Sequence, residues 1–154
     1  LIDNKTGVTK YYEYGRYDKE GKGIVRTFAV PDVKMGQDKK PTLESLNKTL
    51  SVISEQAGHG GRIEGAYIES DKFKEMKTYA ESKIAENSNP KRKEYSLRNN
   101  NCGTFAADVL KQDPSVKDKA PVIIDSRPNS IVKEYQNSFK SLNYDPKKRQ
   151  VKIE

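Results

Sequence analysis

The segment Tyr95-Ser-Leu-Arg-Asn-Asn-Asn-Cys-Gly-Thr-Phe-Ala-Ala-Asp-Val-Leu110 sets the single cysteine of the chain at the start of a predicted helix. Its apolar residues recur at the spacing of one helix face: Cys102, Phe105, Ala106, Val109 and Leu110. Asn101 is a favoured N-cap residue, which makes Cys102 the first residue of that helix. The segment therefore predicts a thiol at a helix N-terminus.

This position favours chemistry at the thiol. The unpaired N–H groups and the positive end of the helix dipole lower a thiol pKa from its ordinary value of about 8.5, and the thiolate is the nucleophile. The same N–H groups can donate to an oxyanion when sulfur attacks a carbonyl. The alternative is a structural cysteine, because a lone cysteine in a globular domain is commonly a small buried apolar residue. The Asn101-Cys102 context favours the nucleophile.

The cysteine segment resembles the Tyr-x-Leu-x-x-Asn-Asn-Cys-x-x-Phe nucleophile segment of circularly permuted papain-like enzymes. These enzymes include the PPPDE isopeptidases and, more loosely, the permuted NlpC-type and lecithin:retinol acyltransferase group. Upstream, Lys10-Tyr-Tyr-Glu-Tyr-Gly15 resembles the aromatic strand that follows the family's histidine. The resemblance implies an α+β, permuted papain-like fold in which a small antiparallel sheet packs against helices. The whole chain is also similar to the C-terminal toxin domains of bacterial Rhs or YD-repeat proteins.

The position of the catalytic histidine is open between two alternatives. The resemblance places the family's histidine a few residues before Leu1, on a short N-terminal strand that this sequence lacks. Within the sequence, His59 is the only histidine, and it lies in the glycine-rich stretch Gly58-His-Gly-Gly61. Glycines permit a close approach to an active-site rim, and they equally suit an ordinary loop. His59 is thus either the general base or a loop residue.

Glu13 is the candidate for a third catalytic residue that orients the histidine. The resemblance places the strand around Glu13 beside the cysteine helix. Strand alternation puts Tyr12 and Tyr14 on one face and Tyr11 and Glu13 on the other, so Glu13 either points inward or is solvated.

Length and composition limit the other function classes. The 154 residues suit one domain, residues 1–154, and no apolar stretch is long enough to span a membrane. The net charge is +7, but lysines alternate with acids along the chain, which is typical of a solvated surface; we expect no nucleic-acid partner. One cysteine and one histidine cannot form a Cys/His zinc site, so we expect neither metal nor cofactor.

The pattern along the chain predicts an α+β order. Strands are predicted at residues 8–14, 24–30 and 62–69, and helices after Thr42, after Ser70, from 102 to 110 and from 130 to 139. Beyond Asp113-Pro114 the chain is expected to be loop-like until residue 130. Residues 145–154 are polar and are expected to be loosely ordered.

By resemblance, the chain is a cysteine hydrolase of amide bonds. The first hypothesis is a protein peptidase or isopeptidase that acts as an interbacterial effector toxin, with the recipient cytoplasm favoured over the periplasm. Its partners would be a protein substrate and a cognate immunity protein, which the basic surface suggests is acidic. A peptidoglycan amidase or endopeptidase of NlpC type is the alternative. A catalytically dead or truncated interaction module is an alternative of another class.

Overall fold

The computed structural model describes residues 1–154, in which two antiparallel sheets pack against helices. The first sheet pairs β1 (Glu13–Gly15) with β2 (Ile24–Arg26), and the second has the order β3 (Ile63–Tyr67), β4 (Lys140–Asp145) and β5 (Gln150–Ile153). The helices are α1 (Leu43–Ala57), α2 (Phe73–Ala85), α3 (Cys102–Leu110), α4 (Pro114–Lys119) and α5 (Pro128–Ser138). The predicted α+β class, with small antiparallel sheets packed against helices, is confirmed.

The three-stranded sheet is covered by a helix on each face. Thr42 caps α1, and the Leu46 and Leu50 side chains of that helix pack with Tyr144 and Val151 of the sheet. The opposite face packs against α5 through Tyr135 and its neighbours. Along β3, Ile63 packs in the first of these cores and Ala66 in the second, as strand alternation allows.

Helix α3 is the centre of the second half of the fold. On one side Val109 packs against Met76 and Ala80 of α2, and on the other side Ala107 packs against Ile131 of α5. A Cβ at Gly103 would lie 3.0 Å from the Ile131 Cδ1 and the Pro128 Cα, so α5 approaches the start of α3 as closely as it does because residue 103 has no side chain.

Two regions that were expected from the sequence to be irregular form secondary structure. Residues 145–154 complete a hairpin with β4, in which Tyr144 and Val151 are 1% and 6% exposed. The Val151 N–H also donates to the Asn47 Oδ1 at 2.8 Å, which anchors β5 to α1. The chain after Asp113 forms the short helix α4, with Asp113 as its N-cap and Pro114 at its start.

Several element ends also differ from the predictions. The predicted strand at 8–14 is regular only at Glu13–Gly15, although an isolated bridge pairs Ile2 with Thr9. Ser70 does not cap α2: the N-cap residue is Lys72, and the Ser70 hydroxyl instead donates to the Asp113 carboxylate at 2.5 Å.

Candidate active site

Asn101 fixes the start of the cysteine helix. Its Oδ1 accepts hydrogen bonds from the N–H groups of Gly103 and Thr104, at 2.9 and 3.1 Å, and the Thr104 hydroxyl accepts from the Asn101 N–H. Its Nδ2 donates to the carbonyl oxygens of Ser96, Leu97 and Ser126. Because Asn101 is completely buried, this network holds three chain segments at one point.

The same network limits what the helix N-terminus can offer to an oxyanion. The Gly103 and Thr104 N–H groups are already taken by the Asn101 side chain, whose own amide is also fully used. Asn101 is therefore a structural cap that has no free donor for a substrate. The Cys102 N–H is left out of the cap.

The Cys102 thiol does not have the lowered pKa that its position predicts. The residue is exposed, yet burial of the thiol is the largest influence on its pKa and raises it. The N–H groups of Gly103 and Cys102 and the Tyr95 hydroxyl lower the pKa, but by less. The pKa rises because burial of the thiol outweighs the stabilisation of the thiolate by these donors.

Tyr95 is a site residue that the sequence reasoning quoted but gave no role. Its hydroxyl lies close enough to interact with the Cys102 thiol and with the Cys102 N–H. Burial, the largest cause, and the neighbouring Cys102 charge raise the pKa of Tyr95, which keeps its hydroxyl protonated and able to donate. The sequence signal that could have identified Tyr95 is its position in the quoted motif, seven residues before Cys102.

Polar contacts hold the segment that carries Tyr95. The Arg92 guanidinium donates to the Asp18 carboxylate at 3.0 Å, and both side chains are mostly buried. The Asn100 amide donates to the Tyr14 hydroxyl at 3.1 Å, and the Tyr14 ring lies 5.5 Å from the Tyr95 ring between centroids. The β1–β2 hairpin therefore positions the loop that precedes Cys102.

Glu13 lies on the face of β1 that points away from this cluster. Its carboxylate accepts from the Tyr11 hydroxyl at 2.8 Å and from the Arg26 guanidinium at 2.7 Å. Tyr14, the next residue, points to the other face and contacts Phe105 of α3. The structure thus gives Glu13 an ion pair and does not bring it to Cys102.

His59 also lies away from Cys102. It follows the end of α1 with a positive φ of 53°, is exposed, and makes no side-chain hydrogen bond. Its loop belongs to the region where Ser54, Tyr144 and Arg149 surround a small pocket at the turn between β4 and β5. The structure therefore separates the two residues that the sequence offered as nucleophile and base.

The rest of the molecule adds two observations. No three His, Cys, Asp or Glu side chains are grouped in a way that could hold a metal ion. None of the helices combines the length and the apolar character that crossing a bilayer requires.

Comparison with known proteins gives the family. The model of the family described as type VI secretion system effector TseH-like matches residues 1–118. The chain belongs to this TseH-like family. It is also similar to the crystal structure of the type VI secretion system effector TseH, with 31% identity and a TM-score of 0.88 over 99% of this chain and 84% of that chain. No curated protein matches the chain.

Membership of the TseH-like family supports part of the sequence-based hypothesis. The chain is an effector of the type VI secretion system, a class of proteins delivered into recipient cells. The expectation of an effector is confirmed at that level. Carriage by an Rhs or YD-repeat protein stays a prediction.

Proposed function

We propose that this TseH-like effector is a cysteine hydrolase of amide bonds with a permuted papain-like site. The observation that carries the proposal is the placement of an exposed cysteine as the first residue of a rigidly capped helix, beside a tyrosine hydroxyl. An accessible thiol on a fixed helix end suits nucleophilic attack, whereas a purely structural cysteine is ordinarily buried.

The reaction follows from the groups at the site. The Cys102 Sγ attacks the amide carbonyl carbon, and a general base accepts the thiol proton. The Cys102 N–H and the Tyr95 hydroxyl donate to the oxyanion that forms. The proton then passes to the leaving amine as the C–N bond breaks, and water releases the acyl group from sulfur.

The proposal also needs a general base, and none of the residues at the site can serve as one. We propose that it is a histidine that precedes Leu1 in the full-length protein, as the family resemblance implies. His59 would then be a loop residue.

The proposed substrate is a protein, cleaved at a peptide or isopeptide bond in the recipient cytoplasm. The resemblance of the Asn100-Asn101-Cys102 segment to the isopeptidase-like members supports this choice. We further propose a cognate immunity protein with an acidic surface, because the effector carries a net charge of +7.

The test compares full-length effector with its Cys102→Ala variant. Each is expressed without its immunity protein in the cytoplasm or, with a signal peptide, in the periplasm of a sensitive bacterium. Purified protein is incubated with cytosolic extract and with isolated sacculi. We expect Cys102-dependent toxicity in the cytoplasm and cleavage of extract proteins. Release of muropeptides from sacculi would favour the peptidoglycan hydrolase, and undiminished toxicity of Cys102→Ala would refute the hydrolase.

A further inference from the structure

The two loops that meet at the start of α3 expose large apolar side chains. Val122 and Ile124 are 84% and 95% exposed, and Leu97 is also exposed. These three are most of the five large apolar residues that the molecule exposes. Single exposed apolar residues are normal on a protein surface, whereas a group of them beside a candidate active site indicates an interaction surface.

Asn101 joins the two loops. Its Nδ2 donates to the Leu97 carbonyl oxygen at 3.1 Å and to the Ser126 carbonyl oxygen at 2.8 Å. Because one nitrogen reaches both oxygens, the segments 91–98 and 117–127 meet at the start of the cysteine helix. We call these two segments the rim. The rim therefore adjoins the candidate nucleophile.

The apolar side chains of the second segment project from an anchored backbone. Ile123 packs against the core cluster shared by α3 and α5, and its two neighbours, Val122 and Ile124, project outward. The Asp125 carboxylate accepts from the Ser130 hydroxyl at 2.9 Å, which ties the segment to α5. A projecting side chain is buried only by a concave surface, so this pair fits a pocket on a folded protein better than it fits an extended peptide.

The rim also carries an excess of unpaired positive charge. Arg92 and Arg127 form ion pairs within the molecule, but the other charged side chains of the rim form none. The unpaired cations are Lys91, Lys93, Arg98, Lys117 and Lys119, and the unpaired acids are Glu94 and Asp118. An apolar centre with positive charge around it is complemented by an apolar pocket with acidic residues around it.

We propose that the rim is the surface on which the immunity protein binds this effector, with Val122 and Ile124 inserted into an apolar pocket that acidic residues surround. Apolar side chains held on an anchored backbone lose little conformational freedom on binding, which suits a tight complex between two folded proteins. Because the rim adjoins Cys102, a protein bound there covers the thiol. This inference rests on the proposed immunity protein, but it does not depend on whether Cys102 hydrolyses an amide.

Calorimetric titration of the full-length effector with its purified immunity protein tests the apolar contact. Ile124→Ser should raise Kd at least ~10-fold, because it removes an apolar side chain from the centre of the interface. Leu43→Ser, which removes an exposed leucine at the start of α1, is the matched control and should leave Kd unchanged. An unchanged Kd for Ile124→Ser, or an equal rise for Leu43→Ser, would overturn the proposal.

Charge reversal tests the electrostatic part. The double change Lys117→Glu with Lys119→Glu should slow association with the immunity protein about 10-fold at low ionic strength. The control is Lys148→Glu with Lys152→Glu, which changes the net charge equally but on exposed residues of the β4–β5 hairpin. We expect a smaller effect from the control. Equal slowing by the two double changes would mean that net charge alone attracts the partner, and it would contradict binding at the rim.

Iodoacetamide labelling of Cys102 tests whether the bound protein covers the thiol. The peptide that contains Cys102 is followed by mass spectrometry, with and without saturating immunity protein. We expect labelling at least ~10-fold slower in the complex, because alkylation needs an accessible thiolate. Equal labelling rates would overturn the proposal even if the effector proves to be a hydrolase. If Cys102→Ala stays toxic while Ile124→Ser weakens binding and the complex protects Cys102, the hydrolase fails and the proposed interface stands.

Discussion

Cys102 and His59 have similar positions in the local sequence, each next to a helix boundary, but their surroundings in the fold are very different. Both residues follow a helix boundary and both are exposed. The backbone before Cys102 is fixed by a buried asparagine that makes hydrogen bonds to three segments, whereas the His59 side chain contacts no hydrogen-bond partner. A nucleophile needs a fixed position, and the comparison therefore favours Cys102 as the functional residue and a loop role for His59.

The largest expected effect is the loss of the nucleophile. Cys102→Ala should lower kcat/KM of the full-length effector by at least ~10³-fold, because the attacking sulfur is gone. Its Tm should change little, since alanine is a good helix former at an exposed first position. Steady-state hydrolysis and thermal unfolding measure the two effects. A variant that retains activity would end the hydrolase proposal, and a large fall in Tm would make Cys102 structural.

The next effect concerns the cap. Asn101→Ala should reduce the free energy of unfolding by about 2–4 kcal/mol, because it removes an N-cap and leaves three carbonyl oxygens without their donor. The matched control is Asn100→Ala, whose amide is part-buried and reaches the Tyr14 hydroxyl. Denaturant unfolding of both variants compares them. If the two losses were equal, Asn101 would not be the point that fixes the cysteine helix.

Tyr95→Phe should have a smaller effect on the chemistry. It keeps the ring that packs on Tyr14 and removes the hydroxyl beside Cys102. Since that hydroxyl lowers the thiol pKa, its loss should shift the alkylation midpoint of Cys102 to higher pH and lower kcat by roughly 10-fold. Tyr12→Phe, which loses a bond to Glu81 on α2, serves as the control. An unchanged midpoint would remove Tyr95 from the site.

His59 should show the smallest effect. His59→Asn removes the imidazole and suits the positive φ of 53° better than alanine would. We expect kcat/KM of the full-length effector to stay within about twofold, against the ~10²-fold loss typical of a general base. A loss of that larger size would move the base to His59 and reverse the comparison of the two regions.

The sequence predicted those parts of the molecule that local interactions decide. The apolar spacing from Cys102 to Leu110 and the Asn101 cap gave α3 its observed bounds. The hairpin at residues 140–153 was missed because charged residues around its turn obscured the alternation of buried Tyr144 and Val151. The Asp113-Pro114 pair carries an N-cap signal for α4, although the chain beyond it is expected from the sequence to be loop-like.

The site itself depends on distances that a sequence does not carry. The raised pKa of Cys102 follows from burial, which outweighs the backbone N–H groups and the Tyr95 hydroxyl that lower it. The ion pair of Glu13 with Arg26 depends on the register of β1 against β2. Both outcomes depend on tertiary contacts that no single segment of sequence contains.

The alkylation profile of Cys102 against pH tests the central claim most directly, namely that Cys102 is a nucleophile whose base lies outside residues 1–154. Iodoacetamide reacts with the thiolate, so the midpoint reports the thiol pKa. We predict a midpoint above the ordinary value of about 8.5 for the 1–154 chain, where burial dominates, and a midpoint below it for the full-length effector. A midpoint that is the same in the two proteins would contradict the account.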